Sequence, residues 1–246
     1  MAAREIYEEI GSTQDRALEL ARSGAPAGTV VRAVRQTHGR GRLDHRWESP
    51  PGGLWLSVVV PATGAPETWL SLAVGARLLQ ALQRWGSIPL RLKWPNDLVA
   101  IGPDGRARKL SGILIDRVGS PSLGTAAVAG IGVNVQVDPA DLPPELRERV
   151  VSLHRLVPSP PTPDEVEPRV VAAALEAARD LDSVPTARQV MAMCRASLFG
   201  VGRAARVDGT PRGTITGLDD DGALLLADGP NLVPIRSGDV DVDGLA

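Results

Sequence analysis

Four short apolar segments follow one another between residues 90 and 135, with turn signals between them. They read LRLKW, DLVAI, KLSGILID and TAAVAGIGVNV, and GPDG and GSPS are among the breaks that separate them. Short β-branched and leucine-rich runs joined by tight turns are typical of an antiparallel or mixed sheet. This block therefore predicts that a sheet forms the centre of the fold.

Segments with helical periodicity flank the sheet block. Ser12 followed by Asp15 is a capping-box pattern that starts the first of them. Strands are predicted at TVVRAVR and LWLSVVV, on either side of a glycine-arginine loop. Together these elements predict an α+β fold in which helices cover a mixed, largely antiparallel sheet. The predicted helices span 13–23, 67–85, 164–182 and 185–198.

The last 45 residues or so differ from the rest of the chain. After FGVG, helical periodicity gives way to RAARV, GTITGL, ALLLA, LVPI and VDV. Five short strands in so little chain predict a small SH3-like β-barrel. We therefore predict a large first domain over 1–198 and a small C-terminal domain over 199–246. The proline-rich segment VPSPPTPDEVEPR is interpreted as a loop inside the first domain.

Composition excludes several classes of protein. The chain has 246 residues, 43% hydrophobic residues and a net charge of −2, so neither nucleic acid nor a membrane attracts the whole molecule. The N-terminus lacks the basic flank and apolar run of a signal peptide, which predicts a cytoplasmic protein. The single cysteine, Cys194, is interpreted as a small buried hydrophobe.

The loop GRGRLDHRWESPPGG, residues 39–53, concentrates arginine and glycine. It satisfies neither the GxGxxG fingerprint nor the phosphate loop that ends in Gly-Lys-Ser/Thr. Gly39 and Gly41 allow close approach of the backbone to a ligand, and Arg40 and Arg42 carry planar forks suited to carboxylate and phosphate. The alternative interpretation is a flexible basic loop that is simply solvated.

A second polar group lies at KWPND, residues 93–97, just beyond a short strand. Lys93 is one of only two lysines in the chain, the other being Lys109. An ammonium group between a carboxylate and an α-phosphate is what acyl adenylation requires. The structural alternative is that Asn96 and Asp97 cap a turn and that Trp94 lies in the core.

Taken together, the motifs resemble those of biotin protein ligases, also called biotin–[acetyl-CoA-carboxylase] ligases. GSTQ (11–14), QTHGRGR (36–42), Trp47, KWPND, KLSGIL (109–114) and GIGVNV (130–135) occur in that family's order and spacing. The resemblance spans the chain and implies a class II synthetase-like, lipoate ligase-like catalytic domain. It also implies that the protein activates biotin with ATP and Mg²⁺ as biotinyl-5′-AMP, then passes the biotinyl group to a lysine of a biotin carboxyl carrier protein.

The resemblance implies a role for each matching residue. Lys93 and Arg40 would be catalytic, with Lys93 bridging the carboxylate and the α-phosphate and Arg40 near the carboxylate of biotin. Trp47 would cover the adenine, and Mg²⁺ would be held mainly through ATP, with no metal site built from protein residues alone. The expected biotin-binding residues are Ser12, Thr13, Gln14, Gln36, Gly39, Arg40, Gly41, Arg42, Lys93 and Gly112. The expected ATP- and adenylate-binding residues are Arg42, Trp47, Lys93, Asn96, Lys109 and Asn134.

The chain departs from the family pattern at two places. Gln14 stands where the family usually has Asn, so its amide starts one methylene farther from the backbone. Leu43, Asp44 and His45 replace a run that is commonly rich in glycine and arginine. His45 is interpreted as a solvated loop residue, and the base for the transfer step is either Asp97 or no residue at all, desolvation being sufficient.

Two other functions stay open from the sequence. Lipoate ligases and octanoyl transferases acylate carrier lysines on a related fold, and a non-catalytic biotin sensor would keep the binding loop without the chemistry. Only 11 residues precede Ser12, which predicts that the protein has no helix-turn-helix domain and does not bind DNA. A homodimer formed through a free sheet edge is a further possibility.

Overall fold

The computed structural model describes residues 2–242, and a seven-stranded sheet is its centre. The strand order is β1-β2-β3-β7-β6-β5-β4. Only β1 and β2 pair in parallel, and every other neighbouring pair is antiparallel. The expected mixed, largely antiparallel sheet is thus confirmed. Its strands are β1 (Arg4–Ile10), β2 (Val30–Gln36), β3 (Leu54–Pro61), β4 (Leu90–Lys93), β5 (Asp97–Ile101), β6 (Ala107–Ser120) and β7 (Gly124–Val133).

Strand β1 is absent from the sequence prediction. Its sequence REIYEEI carries three glutamates and leaves Ile6 52% exposed, which is the pattern of an edge strand rather than a core strand. The first helix, α1 (Thr13–Arg22), connects β1 to its parallel neighbour β2. A parallel pair needs such a crossover, so β1 is specified by tertiary pairing more than by its own composition.

Three helices cover one face of the sheet, as predicted. They are α2 (Glu67–Leu82), α3 (Pro163–Asp180) and α4 (Val184–Ser197), and they bury the large core cluster that contains Leu54, Leu56 and Val58 of β3. The proline-rich segment leads directly into α3, where Thr162 and Glu165 form a capping box. It is therefore a loop within the first domain, since α3 packs on α2 and β3.

Helix α1 packs on the opposite face, against Val31, Val59 and Val128. It covers only one end of that face, and glycines take the place of larger residues on the rest of β7. Bulky side chains would have filled this space, so the uncovered half of the face becomes a depression in the sheet. The polar residues of the predicted motifs converge there.

The C-terminal segment forms five antiparallel strands in the order β11-β10-β9-β8-β12. In the described residues the two end strands do not pair with each other, so the expected barrel is an open sheet, and the short β12 offers few hydrogen bonds for closure. Trp94 donates its indole N–H to Gly222 O at 2.9 Å and fastens this sheet to the first domain. The strands are β8 (Ala204–Val207), β9 (Thr210–Leu218), β10 (Leu224–Asp228), β11 (Asn231–Ile235) and β12 (Val240–Val242).

The interpretation of Cys194 as a buried residue agrees with the structure. Cys194 is fully buried on α4, and burial raises the pKa of its thiol to about 12, as suits a small hydrophobe. No helix among residues 2–242 is both long and apolar enough to span a bilayer. The predicted boundary at residues 198 and 199 lies at the end of α4 and stays a prediction.

Candidate active site

A cavity of about 350 Å³ opens on the sheet face that α1 leaves uncovered. Most residues that the motifs singled out line it, although they come from six separate segments of the chain. They are Thr13, Gln14, Gln36, Arg40, Gly41, Arg42, Trp47, Lys93, Asn96, Lys109, Gly112 and Asn134. Two predicted residues, Ser12 and Gly39, lie behind the wall of the cavity instead.

Ser12 is the N-cap of α1. Its side-chain oxygen accepts a hydrogen bond from Asp15 N at 3.4 Å, so the first half of the predicted capping box is present. The carboxylate of Asp15 does not return to the cap but pairs with Arg40 Nη1 at 2.8 Å. The start of α1 is thereby linked to the glycine-arginine loop.

A ladder of hydrogen bonds forms the floor of the cavity at its α1 end. Gln36 Oε1 accepts from Thr13 N at 2.8 Å and from Thr13 Oγ1 at 3.0 Å. Thr13 Oγ1 lies 3.0 Å from Ser57 Oγ, and Ser57 Oγ donates to Gln14 Oε1 at 2.9 Å. All four side chains are thus held in one orientation before any ligand binds.

The side-chain amides of Gln36 and Gln14 are oriented by their hydrogen-bond partners. The oxygen of Gln36 must face Thr13 N, which donates to it. Gln14 Nε2 donates to Val128 O and to Asp116 Oδ2, each at 3.1 Å, so its oxygen must face Ser57. A β-carbon at Gly130 would lie 2.5 Å from Gln14 Oε1. The glycine at 130 therefore makes room for a side chain one methylene longer than the family's usual asparagine.

A pair of glycines forms the floor at the other end of the cavity. Gly112 of β6 and Gly132 of β7 are cross-strand partners. A β-carbon at either position would lie 2.7 Å from a ring carbon of Trp47. Trp47 makes an edge contact with Trp55, at 6.1 Å between ring centroids, and its buried indole nitrogen has no hydrogen-bond partner among the described residues. The indole thus rests on a flat glycine platform.

The glycine-arginine loop folds back on itself between β2 and β3. Trp47 N donates to Gly39 O at 2.9 Å, and Gly41 N donates to His45 O at 2.7 Å. Gly39 is buried, and a β-carbon there would clash with Trp47 O and Ser49 Oγ. Both glycines therefore allow close approach within the loop, and because Gly41 also lines the cavity, their predicted contact with a ligand stays a prediction. Leu43 has a φ of 51°, the left-handed region that a glycine would adopt more easily.

Two half-buried cations face the cavity without a carboxylate partner among the described side chains. Lys93 ends β4, and Arg42 follows Gly41 in the loop. Burial lowers the pKa of Arg42, and the more distant charges of Asp97, Asp239 and Glu67 act in the opposite direction. Cations that are left uncompensated in a partly dry cavity favour an anionic ligand.

The other cations of the site are already paired. Lys109 Nζ lies 2.8 Å from Asp97 Oδ1 and 4.9 Å from the centre of the Trp47 ring. Arg40 lies between Asp15 and Asp116, whose oxygens are 2.8 and 3.3 Å from Arg40 Nη1. Both contacts are made at Nη1, so the N–H groups at Nε and Nη2 can still contact a ligand carboxylate.

Asn96 and Asn134 use their amide N–H groups within the protein. Asn96 Nδ2 donates to Ile113 O at 3.0 Å, and Asn134 Nδ2 donates to Lys109 O at 3.3 Å. Each amide keeps its oxygen and one further N–H for a ligand; the oxygen suits a cation such as Mg²⁺, and the N–H suits a phosphate oxygen. Within residues 2–242, no cluster of three or more His, Cys, Asp or Glu side chains has the arrangement of a metal site.

Several residues of the site were not predicted from the sequence. Ser57 is the one polar residue in LWLSVVV and lines the cavity, whereas Asp116 lies beyond its lining and contacts Gln14 and Arg40. Side chains on a β-strand alternate between the two faces of the sheet, and this alternation is the only, weak, sign in the sequence that these two residues face the site. Asp239 and Asp241 also line the cavity, but they come from the C-terminal sheet and carry no signal that could have placed them there.

The sequence and the fold together define a class of acyl-activating ligase. Residues 7–134 match the model of the Biotin/lipoate A/B protein ligase family, and residues 204–243 match the Biotin protein ligase C terminal domain. The first match covers more than half of the chain. The chain therefore belongs to the biotin/lipoate protein ligase family, as its motifs indicated.

Among curated proteins, similarity extends over nearly the whole chain. The bifunctional ligase/repressor BirA of Bacillus subtilis is 30% identical over 246 residues, which cover 96% of this chain and 73% of that protein. The biotin–[acetyl-CoA-carboxylase] ligase of Mycobacterium tuberculosis is 32% identical over 248 residues, with coverages of 96% and 87%. Both relatives are ligases by name.

Solved structures show the same fold. The biotin protein ligase of Aquifex aeolicus in complex with biotin and ATP superposes with a TM-score of 0.82 at 26% identity, covering 99% of this chain and all of that one. An R40G mutant of that ligase bound to biotin gives a TM-score of 0.78. The α+β architecture and the C-terminal sheet are therefore those of known biotin protein ligases.

Proposed function

We propose that this protein is a biotin protein ligase that forms biotinyl-5′-AMP from biotin and ATP and transfers the biotinyl group to a lysine of a biotin carboxyl carrier protein. The observation that carries the proposal is that two cations, Lys93 and Arg42, face one cavity without a carboxylate partner among the described side chains. Binding of biotin alone would need no cation for a phosphate. A site for joining two anions needs both.

The hydrogen-bond ladder supports biotin as the acid. The hydroxyls of Thr13 and Ser57 have two protons, yet they take part in three oxygen–oxygen contacts, with Gln36, with Gln14 and with each other. Thr13 N also donates to Gln36 Oε1, so Thr13 Oγ1 can donate to Ser57 Oγ and every acceptor of the ladder is satisfied, while lone pairs on the hydroxyl oxygens stay open to a donor from a ligand. A ureido ring supplies N–H donors for these lone pairs, whereas the dithiolane ring of lipoate supplies none.

The glycine platform supports a nucleotide as the second substrate. Gly112 and Gly132 provide a flat surface, and Trp47 and Lys109 lie directly over it. In this proposal the adenine lies on the glycine platform beside Trp47. Because the indole occupies that platform in the free protein, it must shift when the adenine binds. Lys109 then stays close to the nucleotide because its pairing with Asp97 holds it there.

In the first step, an oxygen of the biotin carboxylate attacks the α-phosphorus of ATP, and the bond to the bridging oxygen of pyrophosphate breaks. Lys93 lies between the two anions and lowers their mutual repulsion, while Arg42 follows the charge on the phosphate. Arg40 uses the N–H groups at Nε and Nη2 to hold the carboxylate. Bound Mg²⁺ would neutralise phosphate charge, with the oxygens of Asn96 and Asn134 as the protein groups that would help to hold it.

In the second step, a neutral lysine amine attacks the carbonyl carbon of the mixed anhydride, and AMP leaves. The free amine has a pKa of about 10.4 in water, so it must lose a proton on entering the site. Asp97 is the residue that the sequence offered as the base, but in the free protein its carboxylate lies 2.8 Å from Lys109 Nζ. Desolvation of the lysine is therefore the simpler way to neutralise it.

The test is biotin-dependent release of pyrophosphate from MgATP, followed by mass spectrometry of an added biotin carrier domain. We expect release with biotin and a mass gain of one biotinyl group on one carrier lysine. Lys93→Met should lower the adenylation rate at least 100-fold, which corresponds to roughly 3 kcal/mol of lost transition-state stabilisation. Arg91→Met removes an exposed cation from the same strand, outside the cavity, and should leave the rate unchanged.

Two results would contradict the proposal. Tight binding of biotin with no release of pyrophosphate would indicate a sensor that has the fold of a ligase without its activity. Release with lipoate or octanoate in place of biotin would assign the protein to the other branch of the family.

A further inference from the structure

A second cavity of about 240 Å³ lies against the glycine-arginine loop. Residues 40–43 and Asn96 line both cavities, so the loop is a shared wall between them. The far wall of the second cavity is the first two turns of α2, represented by Glu67, Thr68 and Ser71. None of these three residues has a role in the function proposed above.

Ser71 carries a polar group that the protein does not satisfy. The residue is only 5% exposed, and its Oγ has no hydrogen-bond partner among the described residues. An unpaired buried hydroxyl costs about 1–3 kcal/mol of stability. Because Ser71 lines the second cavity, a polar ligand there would satisfy the hydroxyl and recover that cost.

The start of α2 adds a second reason to expect a ligand. Its N-cap is Pro66, which offers no side-chain hydrogen bond to the first-turn N–H groups. A 16-residue helix carries about half a positive charge at such an end. These N–H groups and the hydroxyl of Thr68 are donors, and donors at a helix N-terminus favour a phosphate group.

The charges around the cavity favour an anion over a cation. Asp116 lies 3.3 Å from Arg40, which also pairs with Asp15 at 2.8 Å, and it accepts a hydrogen bond from Gln14. Glu67 is the one carboxylate with a weak partner, since Arg117 Nε is 4.0 Å away. Arg42 has no partner at all among the described side chains. The two arginines and the two carboxylates that line this cavity cancel in formal charge, so the helix end supplies the positive surplus.

We propose that the second cavity receives the pyrophosphate that leaves ATP during formation of the acyl adenylate. This inference rests on the proposed function. The attacking carboxylate oxygen and the leaving bridging oxygen lie on opposite sides of the α-phosphorus, and the electron pair of the broken P–O bond stays on pyrophosphate. The loop that separates the two cavities brings Arg42 to both sides, so one guanidinium contacts the α-phosphate and then the departing group.

The test measures binding of inorganic pyrophosphate to the full chain by calorimetry, and its inhibition constant in the adenylation assay. Ser71→Ala should weaken pyrophosphate binding roughly five- to tenfold, as expected for one lost hydrogen bond to a charged group. Glu67→Gln should strengthen it severalfold, because a repelling carboxylate is removed. Biotin affinity should not change in either variant.

Ser111→Ala is the matched control. Ser111 is also a fully buried serine whose Oγ lacks a partner, but it lines neither cavity. We expect this variant to bind pyrophosphate like the wild-type protein. Equal changes in Ser71→Ala and Ser111→Ala would overturn the inference, since a loss of general packing would then explain both.

Glu67→Gln separates this inference from entry of the acceptor lysine through the same cavity. If it raises the KM for the carrier domain and leaves pyrophosphate binding unchanged, the cavity accepts a cation and the inference is wrong. Failure of the proposed function looks different, because then no biotinyl-AMP forms in the wild-type protein. If biotinyl-AMP forms but Ser71→Ala binds pyrophosphate normally, only the second cavity has been misassigned.

Discussion

Gly112 and Gly132 face each other across β6 and β7, and the space that their missing side chains leave is filled by the indole of Trp47. On a strand, glycine weakens packing unless another group approaches closely. Here the group is an aromatic ring with Lys109 above it. In this fold the glycines of the GIGVN motif lie on a strand and leave room for an aromatic ring, rather than forming a phosphate-binding turn.

Gly132→Ala tests the platform. A β-carbon 2.7 Å from the Trp47 ring forces the indole to move, so we expect the KM for ATP to rise about tenfold or more and the tryptophan fluorescence to change. Gly119→Ala, also on β6–β7 but with nothing within 4 Å of its added carbon, should behave like wild type. An unchanged KM in Gly132→Ala would show that the ring leaves the platform freely.

Gln14→Asn tests the floor of the cavity. The shorter side chain cannot reach both Ser57 and the carbonyl of Val128, so Ser57 loses its acceptor and Gly130 is left beside a gap. We expect biotin affinity to fall about tenfold, measured by calorimetry, with little change in the affinity for ATP. Gln189→Asn, on the exposed side of α4, is the control. Equal or tighter binding of biotin would mean that the ladder adapts to either amide.

Trp94→Phe tests the attachment of the C-terminal sheet. The change removes the one N–H that Gly222 O accepts from Trp94 and leaves that carbonyl buried, which should cost about 1–3 kcal/mol in the free energy of unfolding. Because Trp94 follows Lys93 directly, adenylation should slow as well. Urea unfolding and the pyrophosphate assay measure the two effects, with Trp85→Phe as the comparison. Normal stability with slow adenylation would contradict this coupling.

The ion pairs of Glu167 make a pH-dependent contribution to stability. Its carboxylate is 2.6 Å from Arg32 Nη1 and 2.8 Å from Arg4 Nε. Burial alone would raise the pKa of Glu167, but the hydrogen bonds from the two arginines outweigh it and hold the pKa below its usual value of 4.5. The folded state thus favours the ionised form.

A lowered pKa means that this stabilisation is complete above the unfolded-state pKa and is lost as the pH falls through the lower, folded-state value. Glu167→Gln should therefore lower the free energy of unfolding by about 2–3 kcal/mol at pH 7. The difference from wild type should shrink as the pH falls below about 4.5. Urea unfolding of both proteins at several pH values measures it, and a constant difference would refute the assignment. Glu176→Gln, exposed on the same helix, is the control.

Local sequence patterns were sufficient to predict the helices and the strands that are joined by tight turns. Turn signals separate β4, β5, β6 and β7, and the predicted helices all form, because a helix or hairpin is encoded by its own spacing and caps. Strand β1 was missed because only one of its faces is partly buried and because its partner β2 follows it in the chain only after helix α1. Closure of the C-terminal strands was wrongly expected because strand count alone does not determine which strands pair.

The sequence by itself determined the kinds of chemical groups in this protein and the order of its motifs, which were enough to identify the family. Only the tertiary structure decided which of those groups meet. It brings Ser57 and Asp239 to the cavity, packs Gly39 inside its own loop and pairs Lys109 with Asp97. It also leaves Lys93 and Arg42 without a carboxylate partner among the described side chains. The reason is physical: hydrogen bonds and ion pairs depend on distances of a few ångströms, and those distances exist only after distant segments have packed on one sheet.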